Sequence, residues 1–470
     1  MIVNEDIYPF LETWTDDKDT ATLRWMIRHD YGHTIDDING NTHSVWVDHP
    51  NVLAHRELYP HDHVGFTRSP ESTWNWIEPL RKSPKKFFYV QIYTEHAFVM
   101  FPIDGWARTW LDDIKQNKVH LHIQCNAHGY HSIIDTIYDE IIIKHGVDPK
   151  NITFSSESAD MAEHLEIISY RRNLPKINIQ WHVEFEFLQQ QEIMNDDWFG
   201  DRANTLQDKE YPKKFLSFNG LYRIHRAVLI YLLSAKNLLD KGLVSYNVKE
   251  PVLLDAVHEN GENAVLESLF HAFIYNKDIR NALGAPGEKD RSHYPNRLEI
   301  ESQDNKNYHA FHVTPNHIEF YENTYFSVVT ETSFPSDRVN NHYEELTDTG
   351  RILSEKIFKP ISMKHPFIIV TNPGALSLLR DIGYRTFHPL IDETYDKIRD
   401  PGVRMLMIVN EIEKLCNLEG EALTRFLTEA KEICEFNFAV MKNKKNFWYP
   451  IEHVQSSPLP YSFLHNRPSN

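Results

Sequence analysis

Apolar runs of strand length alternate with segments of helical periodicity along the chain. In the first half, strand-like runs at 87–93, 119–125 and 151–156 accompany a segment at 131–146 whose apolar residues recur at helical spacing and end at a glycine. A further β-rich run follows at 177–187. Alternation of strands and helices is typical of a parallel α/β domain, which we therefore predict for this half of the chain.

The alternation starts again after the polar stretch 195–214. A strand-like run at 214–220 precedes a strongly amphipathic segment at 223–242, which we predict to be a helix. Further strands are predicted at 243–247, 326–332 and 366–372. The predicted fold class is α/β, with two Rossmann-like domains facing each other across a cleft.

The domain boundaries follow from the same pattern. We predict a first domain at 1–205 and a second at 206–440, because 470 residues exceed what one hydrophobic core usually fills. The segment 441–470 is a C-terminal tail and a candidate to pack back on the first domain. Residues 1–80 show little clean periodicity, which indicates irregular structure with short elements.

Composition and charge narrow the classes of function. The formal net charge of −18 means that the average surface repels nucleic acid and anionic membranes, so a polyanion would need a local basic cleft. The three cysteines are widely spaced and form no CxxC pair, which favours a reducing compartment. The chain shows neither a leader peptide nor a membrane-spanning apolar run. We expect a soluble protein of the cytoplasm, without a membrane partner.

The stretch SFNGLYRIHR, at 217–226, is a first candidate site. A predicted strand ends there, Asn219 and Gly220 form a turn, and Arg223 and Arg226 fall in the first turns of the next helix. Basic side chains at a helix N-terminus are repelled by the positive end of the helix dipole. A bound anion offsets this repulsion, because it interacts with the basic side chains and with the free backbone N–H groups. The pattern predicts a phosphate site, and pairing of both arginines with surface carboxylates is an equal alternative.

A second candidate is the helix start at LSEKIFKP. Ser354 is a plausible N-cap, Glu355, Lys356 and Lys359 lie in the first turn, and Pro360 keeps the helix short or kinked. A carboxylate here can accept both hydrogen bonds of a ribose diol, while the adjacent ammonium can reach a diphosphate. The alternative is a solvated charged turn.

These motifs stand within a longer pattern. FYENTYFSVVTETSF precedes the helix start, and HPFIIVTNPGALSLLRDIGY and TFHPLIDETYDKI follow it. Residues 320–398 resemble the donor-binding half of nucleotide-sugar glycosyltransferases of the GT-B architecture. The pattern is most similar to fucosyltransferase-like and exostosin-like members and to related proteins of large phages. The resemblance extends over residues 213–415, and the insertion at 335–350 departs from it, so the sugar is not implied.

The resemblance implies roles for individual residues. Glu355 would hold the ribose and Lys356 would contact the diphosphate. Asn219 with Arg223 or Arg226 would support them. The same pocket would be lined by Glu322, Asn323, Glu331 and Thr332. In such enzymes the first domain holds the acceptor.

The sequence contains no convincing DxD motif, which predicts a metal-independent reaction with the nucleotide-diphosphate sugar as co-substrate and no other cofactor. Lys356 and the arginines would then stabilise the departing diphosphate. Histidines crowd the first domain between residues 29 and 63, but their spacings fit no HExxH-like pattern. A metal hydrolase is therefore only a third interpretation.

An inverting transfer needs a base near the acceptor hydroxyl, normally from the first domain. We predict Glu95, which follows the first clear strand. The other candidates are His96, His128, His131, Glu184 and Glu186.

By resemblance, the chain is expected to be a hexosyl- or pentosyltransferase that acts on an acceptor hydroxyl. The acceptor would be a glycan or a hydroxymethylated base of phage DNA, in which case the compartment is the host cytoplasm. The alternative is a nucleotide-binding or structural protein that keeps the fold and has lost the transfer chemistry.

Overall fold

The structure of the protein is a computed structural model. It describes residues 22–27, 32–36, 42–46, 86–92, 112, 114–117, 119–125, 132–195, 206, 209–219, 224–245, 318–331, 334, 351–445 and 447–450. The chain forms two compact units. The first consists of residues 1–182, 346–350 and 448–453. The second consists of residues 183–345, 351–447 and 454–470.

The first unit is built on a mixed β-sheet. Its strands are β1 (Thr22–Ile27), β2 (Gly32–Asp36), β3 (Thr42–Trp46), β4 (Lys86–Ile92), β5 (Val119–Cys125), β6 (Ile152–Ser156), β7 (Asn178–His182) and β12 (Trp448–Pro450). The order across the sheet is β12-β7-β6-β5-β4-β1-β2-β3. Strands β7, β6, β5, β4 and β1 are parallel, while β2, β3 and β12 run antiparallel to their neighbours.

The strands predicted at 87–93, 119–125 and 151–156 and the helix predicted at 131–146 are confirmed. Strand β5 has the predicted bounds, and β4 and β6 each differ from them by one residue. Helix α1 (Ser132–Thr136) continues as one π-helical segment at Ile137–Ile143, and helix α2 (Met161–Arg172) precedes β7. Helix α2 packs against β7 and against α1.

The second unit is built on a smaller, fully parallel sheet. Its strands are β8 (Phe215–Ser217), β9 (Gly242–Val244), β10 (Phe326–Thr330) and β11 (Phe367–Val370), in the order β11-β10-β8-β9. Its helices are α3 (Glu184–Asn195), α4 (Ile224–Ala235), α5 (Ile318–Glu322), α6 (Glu355–Ser362), α7 (Ala375–Asp381), α8 (Pro401–Cys416) and α9 (Gly420–Asn443).

Three strands of this sheet are buried throughout. Every residue of β8, β10 and β11 is buried, as expected for strands covered by helices on both faces. The chain is therefore an α/β protein with parallel sheets, as in Rossmann-like folds.

One predicted strand is too long. The run at 177–187 is a strand only over Asn178–His182, and helix α3 begins at Glu184. Contacts far along the chain support the helix: the Phe187 ring lies 5.3 Å from that of Phe447, and Gln190 Nε2 donates to the carbonyl of Met441 (2.8 Å). A short alternating run fits either period, so tertiary contacts decide it.

The buried His365 predicts that the stability of this unit depends on pH. Its Nε2 donates to the Thr324 carbonyl (3.0 Å) and its Nδ1 accepts from the Ser327 hydroxyl (2.8 Å), so the ring is neutral. Burial lowers the pKa of His365 to about 4. Because the unfolded state binds the proton first, we expect the free energy of unfolding to fall by about 2 kcal/mol between pH 6.5 and 5.

Urea unfolding at several pH values would measure this slope. His365→Gln is expected to remove this part of it, whereas His388→Gln, at an exposed position of the same unit, should not. An unchanged slope in His365→Gln would contradict the assignment.

Candidate functional site

Polar side chains follow all four strands of the second sheet. Asn219 lies two residues beyond β8, and Ser245, Glu331 and Thr371 come directly after β9, β10 and β11. All four residues are buried. Because the strands are parallel, these residues share one edge, which we call the carboxyl edge. At this edge α/β proteins bind their ligands.

Asn219 links the ends of three strands. Its backbone N–H donates to Ser245 Oγ (3.0 Å), its Nδ2 donates to Ser217 Oγ (3.1 Å), and its Oδ1 accepts from the Thr330 hydroxyl (2.8 Å). The sequence therefore placed Asn219 at the correct edge. Its side chain is fully buried and supports the strand ends.

Ser354 connects helix α6 to the end of β10. It is the N-cap of α6, as predicted, and its Oγ accepts from the backbone N–H of Lys356 (3.3 Å). The hydroxyl donates to Glu331 Oε2 (2.5 Å), and Ser354 N donates to Glu331 Oε1 (3.4 Å). The Glu331 carboxylate therefore lies at the amino end of α6, where the helix dipole favours negative charge.

Two carboxylates share one ammonium group here. Lys356 Nζ lies 2.7 Å from Glu355 Oε1 and 3.8 Å from Glu331 Oε2. The side chains of Glu331 and Glu355 are 4% and 10% exposed, whereas that of Lys356 is 24% exposed. We call these three residues the carboxylate–lysine cluster. Its lysine is the member most accessible to a ligand.

Burial changes the acidity of this region. It raises the pKa of Glu331, as does the neighbouring Glu355, while the Lys356 ammonium and the hydrogen bonds from Ser354 oppose the change. Burial also lowers the pKa of Lys359 to about 8, with Glu355 opposing and Lys356 reinforcing it. An arriving anion would favour both ammonium groups, and ligand hydroxyls could donate to the carboxylates.

Arg226, in the first turn of α4, is buried at the same edge. Its Nη2 donates to the carbonyls of Thr330 (3.1 Å) and Glu331 (3.2 Å), and only 4% of the residue is exposed. In this structure Arg226 holds the end of β10, and its predicted role at a phosphate stays a prediction. Three further predicted residues, Glu95, Arg223 and Thr332, lie outside the described residues.

Two predicted pocket residues lie elsewhere. Glu322 ends helix α5 and Asn323 follows it, so both precede β10, whereas Glu331 follows that strand. The two ends of a strand lie at opposite edges of its sheet. The structure therefore does not bring Glu322 and Asn323 to the carboxyl edge.

The N-terminus of the next helix, α7, is occupied by the protein itself. The Asp396 carboxylate accepts from the backbone N–H groups of Leu376 and Ser377 (both 3.2 Å), and its carbonyl accepts from Gly374 N (2.7 Å). Gly374 has a φ of +85°, and an added Cβ there would lie 2.9 Å from Arg351 Cδ. The turn before α7 is therefore closed by the protein's own carboxylate and backbone.

In the first unit, Glu157 and His182 lie at the ends of β6 and β7. Both are buried, and their potential ligand atoms lie within 4.8 Å of each other. These residue types could supply two ligands to a cation. Sequence reasoning missed Glu157, although the polar run SSES at the end of β6 was a signal. Of the alternative bases, His96, His128 and His131 lie outside the described residues.

Glu184 and Glu186 both lie in the first turn of α3 and are buried. Glu186 forms a 2.7 Å ion pair with Lys444 of its own unit, which is a structural role.

Comparisons with known proteins identify no family for this chain. No protein-family model matches the chain, and a search of curated proteins found no match. Among the helices of the described ranges, none is long and apolar enough to cross a membrane. The function is therefore argued from the site itself and from the resemblance carried by its motifs.

Proposed function

We propose that the protein is a glycosyltransferase that moves a sugar from a nucleotide-diphosphate sugar to an acceptor hydroxyl. The observation that carries this proposal is the carboxylate–lysine cluster at the amino end of α6, on the carboxyl edge of a parallel sheet. Carboxylates for hydroxyl groups and an ammonium for phosphate are the two kinds of partner that a nucleotide-diphosphate sugar requires.

Each member of the cluster has a chemical task in this proposal. The Glu355 carboxylate accepts hydrogen bonds from the ribose diol, and Ser354 and Glu331 keep the start of α6 in place. Lys356 leaves its carboxylate partners for the diphosphate, whose negative charge grows as the bond to the anomeric carbon breaks. An ammonium placed at that developing charge stabilises the transition state.

The acceptor oxygen forms the new bond to the anomeric carbon and loses its proton to a base. We propose Glu95 for this base, and a glycan or a hydroxymethylated DNA base as the acceptor. We propose that the protein acts in the cytoplasm, which would be the host cytoplasm for a viral protein. We also propose that the reaction requires no metal.

A second candidate function is nucleotide binding without transfer. The contacts of Arg226 favour it, because the guanidinium that was expected to stabilise the departing diphosphate donates instead to the carbonyls of Thr330 and Glu331. The two functions share the donor site and differ in turnover.

Donor turnover distinguishes these functions. We expect the protein to release nucleoside diphosphate from one class of nucleotide sugar, by slow hydrolysis or by transfer, and chromatography would measure the release. Lys356→Ala should lower the rate about 100-fold, because it removes a charged contact to the departing group. The matched control is Lys397→Ala, at an exposed position of the same unit.

Full activity in Lys356→Ala would contradict the proposed role of Lys356. Binding of a nucleotide without release from any nucleotide sugar would favour the second function.

A further inference from the structure

We propose that Arg404 is a positioning residue for Glu331, acting through the rings of Phe334 and His225. These four residues belong to the second unit, and the sequence motifs pointed to Glu331 alone. The importance of the arrangement for ligand binding rests on the proposed function, because Glu331 belongs to the proposed donor site. The arrangement itself can be tested without a ligand.

Arg404 is buried and held in place by hydrogen bonds to two backbone carbonyls. It lies in the first turn of α8, is 1% exposed, and its Nη1 donates to the carbonyls of Ile398 (2.7 Å) and Arg399 (2.8 Å). Burial of a guanidinium group has a large desolvation penalty, which a leucine of similar volume would avoid. The guanidinium differs from leucine in its directed donors and its flat cationic face.

That face covers an aromatic ring. The Arg404 guanidinium carbon lies 4.2 Å from the centre of the Phe334 ring, and Phe334 is 2% exposed. On the same ring, His225 stacks with a centroid distance of 5.5 Å and an angle of 17°. The Phe334 ring is therefore in contact with both the Arg404 cation and the His225 imidazole, and both contacts restrain it. We call these three residues the stack.

The last member of the stack holds the end of β10. His225 Nε2 donates to the Glu331 carbonyl (2.9 Å), beside the 3.2 Å bond from Arg226. The chain is therefore restrained at residue 331 by two side chains of α4 and at residue 334 by the stack. The contacts from α4 hold the Glu331 peptide, and the bonds from Ser354 hold its carboxylate. A backbone that is fixed at this residue lowers the entropy cost of ordering the site around a ligand.

Hydrogen–deuterium exchange of the ligand-free, full-length protein tests the proposal. In Arg404→Met and Phe334→Leu we expect the backbone amides of 326–331 and 354–358 to exchange about tenfold faster, because local opening becomes easier. Phe334→Tyr keeps the ring and should keep the slow exchange. The control is Phe436→Leu, which removes another ring in contact with an arginine, 3.9 Å from Arg385, at a partly buried position elsewhere in the unit.

Binding of UDP, GDP, CDP, ADP and TDP provides the second readout. The affinity for whichever nucleoside diphosphate the wild type binds should fall about tenfold in Phe334→Leu and stay unchanged in Phe436→Leu. Unchanged exchange in Phe334→Leu, or an equal increase in Phe436→Leu, would overturn the positioning role. A wild type that binds none of the five would overturn the proposed function instead, and the exchange data would still decide on the stack.

Discussion

Replacement of Lys444 by methionine is expected to lower the free energy of unfolding by about 3–5 kcal/mol. Lys444 Nζ lies 2.7 Å from Glu186 Oε1, and the Glu186 side chain has no exposed surface. The ammonium also donates to the Ile382 carbonyl (2.7 Å), and the Tyr384 hydroxyl donates to the same carboxylate. Methionine fills the space but leaves a buried carboxylate without its counter-charge.

Urea unfolding would measure this loss, with Lys442→Met as the control at an exposed position of the same helix end. Adding Glu186→Gln removes the buried negative charge. The loss of unfolding free energy in the double variant should therefore be smaller than the sum of the losses in the two single variants. A loss below about 1 kcal/mol in Lys444→Met, or strict additivity, would contradict the account of this pair.

Asp396→Ala is expected to lower the free energy of unfolding by about 3 kcal/mol, the second largest effect that we predict. The substitution removes the acceptor of two backbone N–H groups at the start of α7. Asp396 is 4% exposed, so water replaces the lost bonds poorly and the N–H groups remain unsatisfied.

Asp400→Ala provides the comparison, because Asp400 caps α8 by accepting from Val403 N (2.8 Å) at an exposed position. There we expect a loss of about 1 kcal/mol. Equal losses in the two variants, measured by urea unfolding, would show that burial of the Asp396 cap has no extra effect.

The strands were predictable because a buried strand has a recognisable local pattern of apolar residues in the sequence. Strand β5 alternates apolar and polar residues, and β11 is a short apolar run rich in β-branched residues. The start of α3 was not predictable from 184–187 alone, because contacts with Phe447 and Met441, more than 250 residues away, decide it.

The candidate site was also predictable only in part. Ser354, Glu355 and Lys356 were predictable because an N-cap and its first turn are adjacent in sequence. The roles of Asp396 and Arg404 were not, since the first caps a helix 20 residues earlier and the second acts through stacked rings from another helix. Glu322 was assigned to the pocket by the resemblance, although it precedes the strand predicted at 326–332 and so lies at the opposite edge of the sheet from Glu331.

The central claim is that the carboxyl edge of the second sheet binds a nucleotide. The most direct test is a thermal-shift panel of UDP, GDP, CDP, ADP and TDP, with and without EDTA, on the wild type, Lys356→Ala and Lys397→Ala. A bound ligand stabilises the folded state in proportion to the logarithm of its concentration over its Kd. We predict that one nucleotide raises the Tm of the wild type and of Lys397→Ala, with or without EDTA, and does not raise that of Lys356→Ala. No shift with any nucleotide, or the same shift in Lys356→Ala, would contradict the claim.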